Sequence, residues 1–205
     1  MALEPVTSAA MSHHVIFAAP FLMETTLRFI RGAAALPGVN LTVVSQEPLE
    51  KLPQDIQAGL AGHWRINDAL DPAQLVLAAT ELARRFGDVH RYIGVLEQLQ
   101  VPLALARQAL GVDGLYVEAA QNFRDKSRMK NRLRDAGLPC ARHVLAGSTD
   151  TAREFADQVG FPVIVKPPAG AGGKGTYRLD NDHDLAAFAD MHPHSSDNPL
   201  LYEEF

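Results

Sequence analysis

The chain has 205 residues, 47% of them hydrophobic, and its 24 acidic against 19 basic side chains give a formal net charge of −5. That length suffices for one large or two small packed domains, and the acidic balance argues against a general nucleic-acid binder, because neutralising phosphates needs a basic surface. Cys140 is the single cysteine, which excludes an intramolecular disulfide or a cysteine zinc cluster and suits a reducing compartment.

No run of about 18 apolar residues is present, and the start, MALEPVTSAAMSHH, lacks the basic flank and apolar stretch of a secretory signal. A cytoplasmic protein with no membrane partner is expected. Residues 1–12 read as a disordered lead-in, and Cys140 as a core filler.

From there the pattern alternates. His14 to Ala19 reads as a buried strand, Phe21 to Ala35 as an amphipathic helix closed by Pro37-Gly38, and Asn40 to Ser45 as a second strand. Pro53 to Ala61 has helical periodicity and His63 to Ile66 the look of a third strand. Asp71 to Phe86 reads as a helix capped by Asp71 with Pro72 at its first position, and Arg91 to Val95 as a fourth strand. The expectation is a parallel sheet covered by helices, with helical connections over 96–120. In open sheets of this kind ligands gather beyond the strands' carboxyl ends, which marks Pro20 to Glu24 and Ser45 to Glu47. The same residues are ordinary loop formers.

A second domain is expected from residue 122, making 13–121 the first domain and 122–205 the second. Asp125 to Ala136 has helical spacing, with Gly137 suited to the position after a helix and Pro139 blocking its resumption. Six of the eleven residues from Arg124 to Arg134 are basic. Lys126, Lys130 and Arg134 fall four apart on one face, and Met129, Leu133 and Ala136 on the side available for packing. A solvated basic face is the ordinary account of such a stripe. Cys140 to Ala146 then reads as strand and Thr149 to Val159 as helix, with Ser148 or Thr149 as its cap.

The segment FPVIVKPPAGAGGKGTYRL, Phe161 to Leu179, carries the chemistry. Strand alternation sends Val163 and Val165 to a core and puts Lys166 on the face of Ile164. Pro167 and Pro168 stop the ladder and deliver the chain into a turn. Gly170, Gly172, Gly173 and Gly175 then allow backbone N–H groups to converge on an anion, and Lys166 and Lys174 add compact cations suited to phosphate. Gly170, Gly172 and Gly175 also spell G-x-G-x-x-G, but that dinucleotide fingerprint must open a helix, whereas Thr176, Tyr177 and Leu179 read as strand. The G-x-x-x-x-G-K-[ST] loop is not matched. A flexible phosphate-covering flap between two strands and a glycine-rich hairpin without a ligand both remain.

Taken in order, these pieces resemble the ATP-grasp superfamily, in the branch that includes biotin carboxylase and the large subunit of carbamoyl phosphate synthetase. FRDKSRMKNRLRDAGLP resembles the family's D-K, basic helix and A-G-x-P passage. FADQVGFPVIVKP resembles its helix, strand and lysine, GAGGKGTYRL its flexible glycine loop, and PLLYEEF the strand leading to the adenine site. The fold class implied is α/β: an N-terminal parallel βαβ domain of the pre-ATP-grasp, Rossmann-like kind, followed by the α+β first part of an ATP-grasp domain.

By that resemblance Lys126 and Lys166 match lysines that contact ATP phosphate oxygens, and Gly170, Gly172, Gly173, Lys174 and Gly175 the lid above them. Glu203 matches the acidic residue facing the adenine amino group, and Glu204 would offer its backbone carbonyl to the same group. The implied chemistry is ATP- and Mg2+-dependent activation of a small carboxylate as an acyl phosphate, followed by attack of an amine or other nucleophile. Metal ligands are implied beyond Phe205, so this chain alone is expected not to catalyse. Unpaired strand edges would then favour self-association or docking with a completing chain. A nucleotide-binding or interaction module without chemistry is the alternative, and a Rossmann dehydrogenase a third reading that requires a helix after Gly175.

Overall fold

Apolar runs that are buried on both sides belong in a parallel sheet, and β1 (His13–Ala19) is such a run. The structure, a computed structural model, describes residues 12–170 and 172–205. The lead-in therefore lies, apart from Ser12, outside the described residues. The chain divides into two compact units, one ending at Ala120 and the other starting at Gln121.

In the first unit β1 is followed by α1 (Glu24–Ala34), β2 (Val39–Ser45), α2 (Gln54–Gly59), β3 (Gly62–Arg65), α3 (Pro72–Phe86), β4 (Val89–Ile93) and α4 (Gln100–Leu110). The strands lie in the order β3-β2-β1-β4 and every pairing is parallel. Alternation along β1 splits its side chains between two cores. Phe17 and Ala19 join Leu41 and Val43 against Leu27 and Ile30 of α1 and Ile56 of α2. Ile16 and Ala18 join Val44 and Tyr92 against α3 and α4. Asp71 caps α3 by accepting from the Ala73 amide at 2.9 Å, with Pro72 opening the helix.

The strand order reverses between β1 and β4, so the crevice of this sheet lies beside the loop after β1 rather than the one after β2. Of the two segments marked as possible crevice residues, Pro20–Glu24 follows β1 and borders this crevice, whereas Ser45–Glu47 lies at the end of β2 and does not. Ser45 is fully buried and its hydroxyl is occupied within the fold, 2.7 Å from the Glu47 carbonyl and 2.8 Å from His63 Nε2.

Helix α5 (Val117–Arg124) carries the chain into the second unit, which comprises α6 (Lys126–Asp135), β5 (His143–Ala146), α7 (Thr149–Val159), β6 (Val163–Lys166), β7 (Tyr177–Leu179), α8 (Asp182–Met191) and β8 (Leu200–Glu204). Its sheet runs β5-β8-β6-β7 and is antiparallel throughout. One face carries Val163, Val165, Leu179 and Tyr202 into a core closed by Phe155 and Ala156 of α7 and Leu185 and Phe188 of α8. Ser148 caps α7 and Asn181 caps α8 through their side-chain oxygens. Beyond Gly175 the chain enters strand β7 and not a helix, which removes the dinucleotide-binding reading of the glycine loop.

Two expectations need correction. Helix α6 does not turn its lysine stripe wholly to solvent: Lys130 is buried at 8% exposure, while Ala136 is exposed. Cys140 is half-buried rather than a core residue, with its thiol 3.5 Å from the Lys130 carbonyl. Among the described residues no helix is long and apolar enough to cross a membrane.

Candidate functional site

The sheet of the second unit has one greasy face and one polar face, and strand register decides what the polar one holds. Ile164 sits opposite Glu203, and Lys166 opposite Leu201. Directly opposed residues of an antiparallel pair share a face, as do residues two apart along a strand. Lys166 and Glu203 are therefore diagonal neighbours, and the Lys166 ammonium donates to Glu203 Oε2 at 2.7 Å. His143 is opposed to Glu203 on its other side, across β5 and β8.

Helix α6 lies over this face. Its start is fixed by Asp125, whose Oδ1 accepts from the amides of Ser127 at 2.8 Å and Arg128 at 3.1 Å. Lys126 thereby becomes the first helical residue. Its backbone amide donates to the Pro168 carbonyl at 2.9 Å and its ammonium to the Gly170 carbonyl at 2.7 Å. One turn on, the Lys130 ammonium lies 3.4 Å from Glu203 Oε1. Further along, Asn131 and Arg134 hold both ring nitrogens of His143, at 3.1 and 2.9 Å. Nδ1 accepts from the arginine, so Nε2 carries the proton and donates to Asn131. That neutral form agrees with a His143 pKa held below its ordinary value, first by burial and then by the nearby Arg134 and Lys130 charges.

The glycine loop starts where Lys126 and Lys166 end. Gly172, Gly173 and Gly175 have φ of 63°, 71° and 71°, a region that a Cβ makes costly. The loop surface from Gly172 to Thr176 is exposed, Lys174 included, and Ala171 lies outside the described residues. Gly175 also packs near Pro167, whose ring would stand 3.2 Å from a Cβ placed there.

Of the residues expected at a nucleotide site, Lys126, Lys166, Gly170 and Glu203 are brought together. Gly172, Gly173, Lys174 and Gly175 form the exposed turn that continues from them. Glu204 alternates to the other side of the sheet, where its carboxylate is bound by the Arg142 amide at 2.7 Å and by the Arg142 guanidinium. Those hydrogen bonds hold its carboxyl below the usual carboxylate range. The sequence reading put Lys130 on the Lys126 face but read that face as solvated and left Lys130 out of the site. The signal was available, since a residue four positions after Lys126 shares its helix face.

Two ammonium groups, those of Lys130 and Lys166, thus meet one carboxylate, and a third, that of Lys126, sits at the Gly170 carbonyl, an arrangement with cationic charge to spare. Glu203 Oε1 is buried and accepts no hydrogen bond, so it is free to receive one from a ligand donor. Polyphosphate at the lysine end and an amino group at Oε1 fit these residues. Among the described residues no group of three or more His, Cys, Asp or Glu is placed to hold a metal ion.

Comparison with known proteins places this unit among described families. Residues 125–204 match the family described as the carbamoyl-phosphate synthase L chain, ATP binding domain. They belong to the ATP-grasp superfamily. The carbamoyl phosphate synthase large chain of Streptomyces coelicolor is 34% identical over 120 residues, covering 55% of this chain and 11% of its own length. A likeness of fold to solved structures extends over both units. The L-amino acid ligase of Bacillus licheniformis superposes with a TM-score of 0.70 at 18% identity, covering 95% of this chain and 44% of that one. The biotin carboxylase domain of the Hydrogenobacter thermophilus 2-oxoglutarate carboxylase, solved with MgADP, ADP and bicarbonate, superposes at 0.73 and 18% identity over 95% and 44%. The chain thus spans less than half the length of these ATP-grasp structures, and about a ninth of the curated relative.

Proposed function

We propose that the second unit binds ATP as the nucleotide-binding portion of a carboxylate ligase. The observation that carries this is the meeting of Lys126, Lys166 and Glu203 beside Gly170, with Lys126 bonded to the loop's first glycine and Lys166 to Glu203. Lys126 and Lys166 would take phosphate oxygens, the loop amides from Gly172 to Gly175 would close over them, and Glu203 Oε1 would accept from the adenine amino group. The Glu204 backbone carbonyl is assigned to the same amino group.

Mg2+ would arrive with the nucleotide and neutralise charge on the transferring phosphoryl group. The activity proposed for the complete enzyme is transfer of that group to a small carboxylate, giving ADP and an acyl phosphate. An amine or similar nucleophile then displaces phosphate. Fixed lysines and a closing loop suit this chemistry because it depends on positioning and on keeping water from the acyl phosphate.

The test compares ATP with adenosine by calorimetry on the chain and its Lys166→Ala variant. Loss of a charge-assisted phosphate contact is worth roughly 1.5–3 kcal/mol, about 10- to 150-fold in affinity. ATP should weaken by that factor and adenosine much less. Equal losses for the two ligands would remove the phosphate assignment.

A further inference from the structure

Lys130 has no part in the proposed nucleotide contacts, yet its side chain is only 10% exposed, less than the 20% of Lys166. Lysine is seldom buried so deeply without an obligatory partner. Its partner is Glu203, 9% exposed, which already has a direct 2.7 Å bond from Lys166. The carboxylate holds two cations where one would neutralise it.

The two differ in kind. Lys166 ends a strand, is followed by Pro167 and the glycine loop, and is the more exposed. Lys130 sits inside a helix, 3.4 Å from Oε1 and without a hydrogen bond to it. His143, the other titratable group facing Glu203, is held neutral between Arg134 and Asn131 and supplies no charge. Among the described residues of α6 and β5, Lys130 is therefore the cation that pairs with this carboxylate.

We propose that Lys130 is a positioning residue, the standing counter-ion of Glu203 that frees Lys166 to exchange its carboxylate partner for a nucleotide phosphate. The inference rests on the proposed nucleotide binding. Were Lys166 the sole partner, its departure would strand a buried anion next to an incoming polyanion, and nucleotide affinity would bear that penalty. With Lys130 in place the carboxylate is compensated before and after the exchange.

The experiment uses the 205-residue chain and its Lys130→Met, Lys130→Arg, Glu203→Gln and Lys130→Met/Glu203→Gln variants, with thermal midpoints to confirm folding. In Lys130→Met, Lys166 becomes the only counter-ion and is held back. ATP affinity should fall about tenfold, the scale of one charge-assisted contact, while adenosine changes little. Lys130→Arg keeps the cation and should stay near wild type. In the Glu203→Gln background nothing holds Lys166, so adding Lys130→Met should cost ATP little. Equal losses from Lys130→Met in both backgrounds would overturn the proposal.

A second readout needs no nucleotide. Acetylation of Lys166, followed by mass spectrometry against exposed Lys174, should slow several-fold in Lys130→Met and recover in the double variant. Unchanged labelling would overturn the role of Lys130 whatever the chain binds. Failure of the wild-type chain to bind ATP, with the labelling difference intact, would instead sink the nucleotide reading.

Discussion

Lys126 and Gly170, 44 positions apart in sequence, are joined by a 2.7 Å hydrogen bond from ammonium to carbonyl. A second bond, from the Lys126 amide to the Pro168 carbonyl, runs beside it. The entry to the glycine loop is thereby tied to the first turn of α6, so the lysine assigned to phosphate also fixes the flap at rest. Lys126→Met keeps the backbone bond and removes the charged one. Lys174 offers a cleavage point within the loop, and trypsin acts there when the loop opens. Cleavage after Lys174 should run about tenfold faster in the variant, from the net worth of a charged hydrogen bond. Equal rates would mean that Lys126 does not restrain the loop.

Glu203 supplies the second prediction, which concerns stability. Removing one member of a buried ion pair leaves the other unpaired, at about 3–5 kcal/mol. Lys130 has little access to water with which to recover the loss. Glu203→Ala should therefore lower the urea midpoint of the second unit strongly, and Glu203→Gln, which keeps an acceptor oxygen, distinctly less. Similar modest shifts for both would show that the lysines relax into solvent.

Local chemistry made much of this legible. The caps at Asp71 and Ser148, the alternating burial of β6 and the strand after Gly175 all follow from short-range rules, because each depends on residues within a turn of one another. The packing of Lys130 does not. A basic stripe on a helix has the same sequence whether it meets water or a carboxylate, and Glu203 reaches it only because β8 inserts between β5 and β6. Strand order is a long-range property that local periodicity does not encode. Ser45 illustrates the same limit, since its burial against His63 requires β3 to pair beside β2.

His14 carries the third prediction, in the first unit. Its ring is buried, with Nδ1 2.8 Å from the Gly87 carbonyl and Nε2 3.0 Å from Thr42 Oγ1. Nδ1 donates to the carbonyl, which leaves Nε2 to accept from the hydroxyl in the neutral ring. Burial lowers its pKa from 6.5, with the Gly87 bond opposing and the His90 charge assisting. His63 is lowered too, by burial against the opposing influence of Glu50 and the Glu47 carbonyl. For a depressed histidine the unfolded chain binds the proton that the folded one refuses, so stability is complete above 6.5 and declines as pH falls below it. The urea midpoint of the first unit should drop between pH 7.5 and 5.5. The drop should shrink in His14→Gln, with His63 accounting for part of the remainder. A slope unchanged by His14→Gln would refute the assignment.

Gly114 carries the last prediction, and the reason is Arg107 rather than backbone conformation. The Arg107 guanidinium is buried and donates to the carbonyls of Tyr92 and Leu115, each at 3.1 Å. Burial without a carboxylate partner lowers its pKa, and its bonds to two carbonyls fix the side chain in place. A Cβ at Gly114 would stand 2.7 Å from Arg107 Cδ and 2.8 Å from Nε. The guanidinium cannot yield without leaving a carbonyl unpaired, so Gly114→Ala should destabilise the first unit by about 1–3 kcal/mol. Arg107→Met removes the constraint as well as the bonds, and adding Gly114→Ala to it should cost much less than in the wild-type background. An equal cost in both backgrounds, read from urea midpoints, would place the strain in the 111–116 turn itself and not at the arginine.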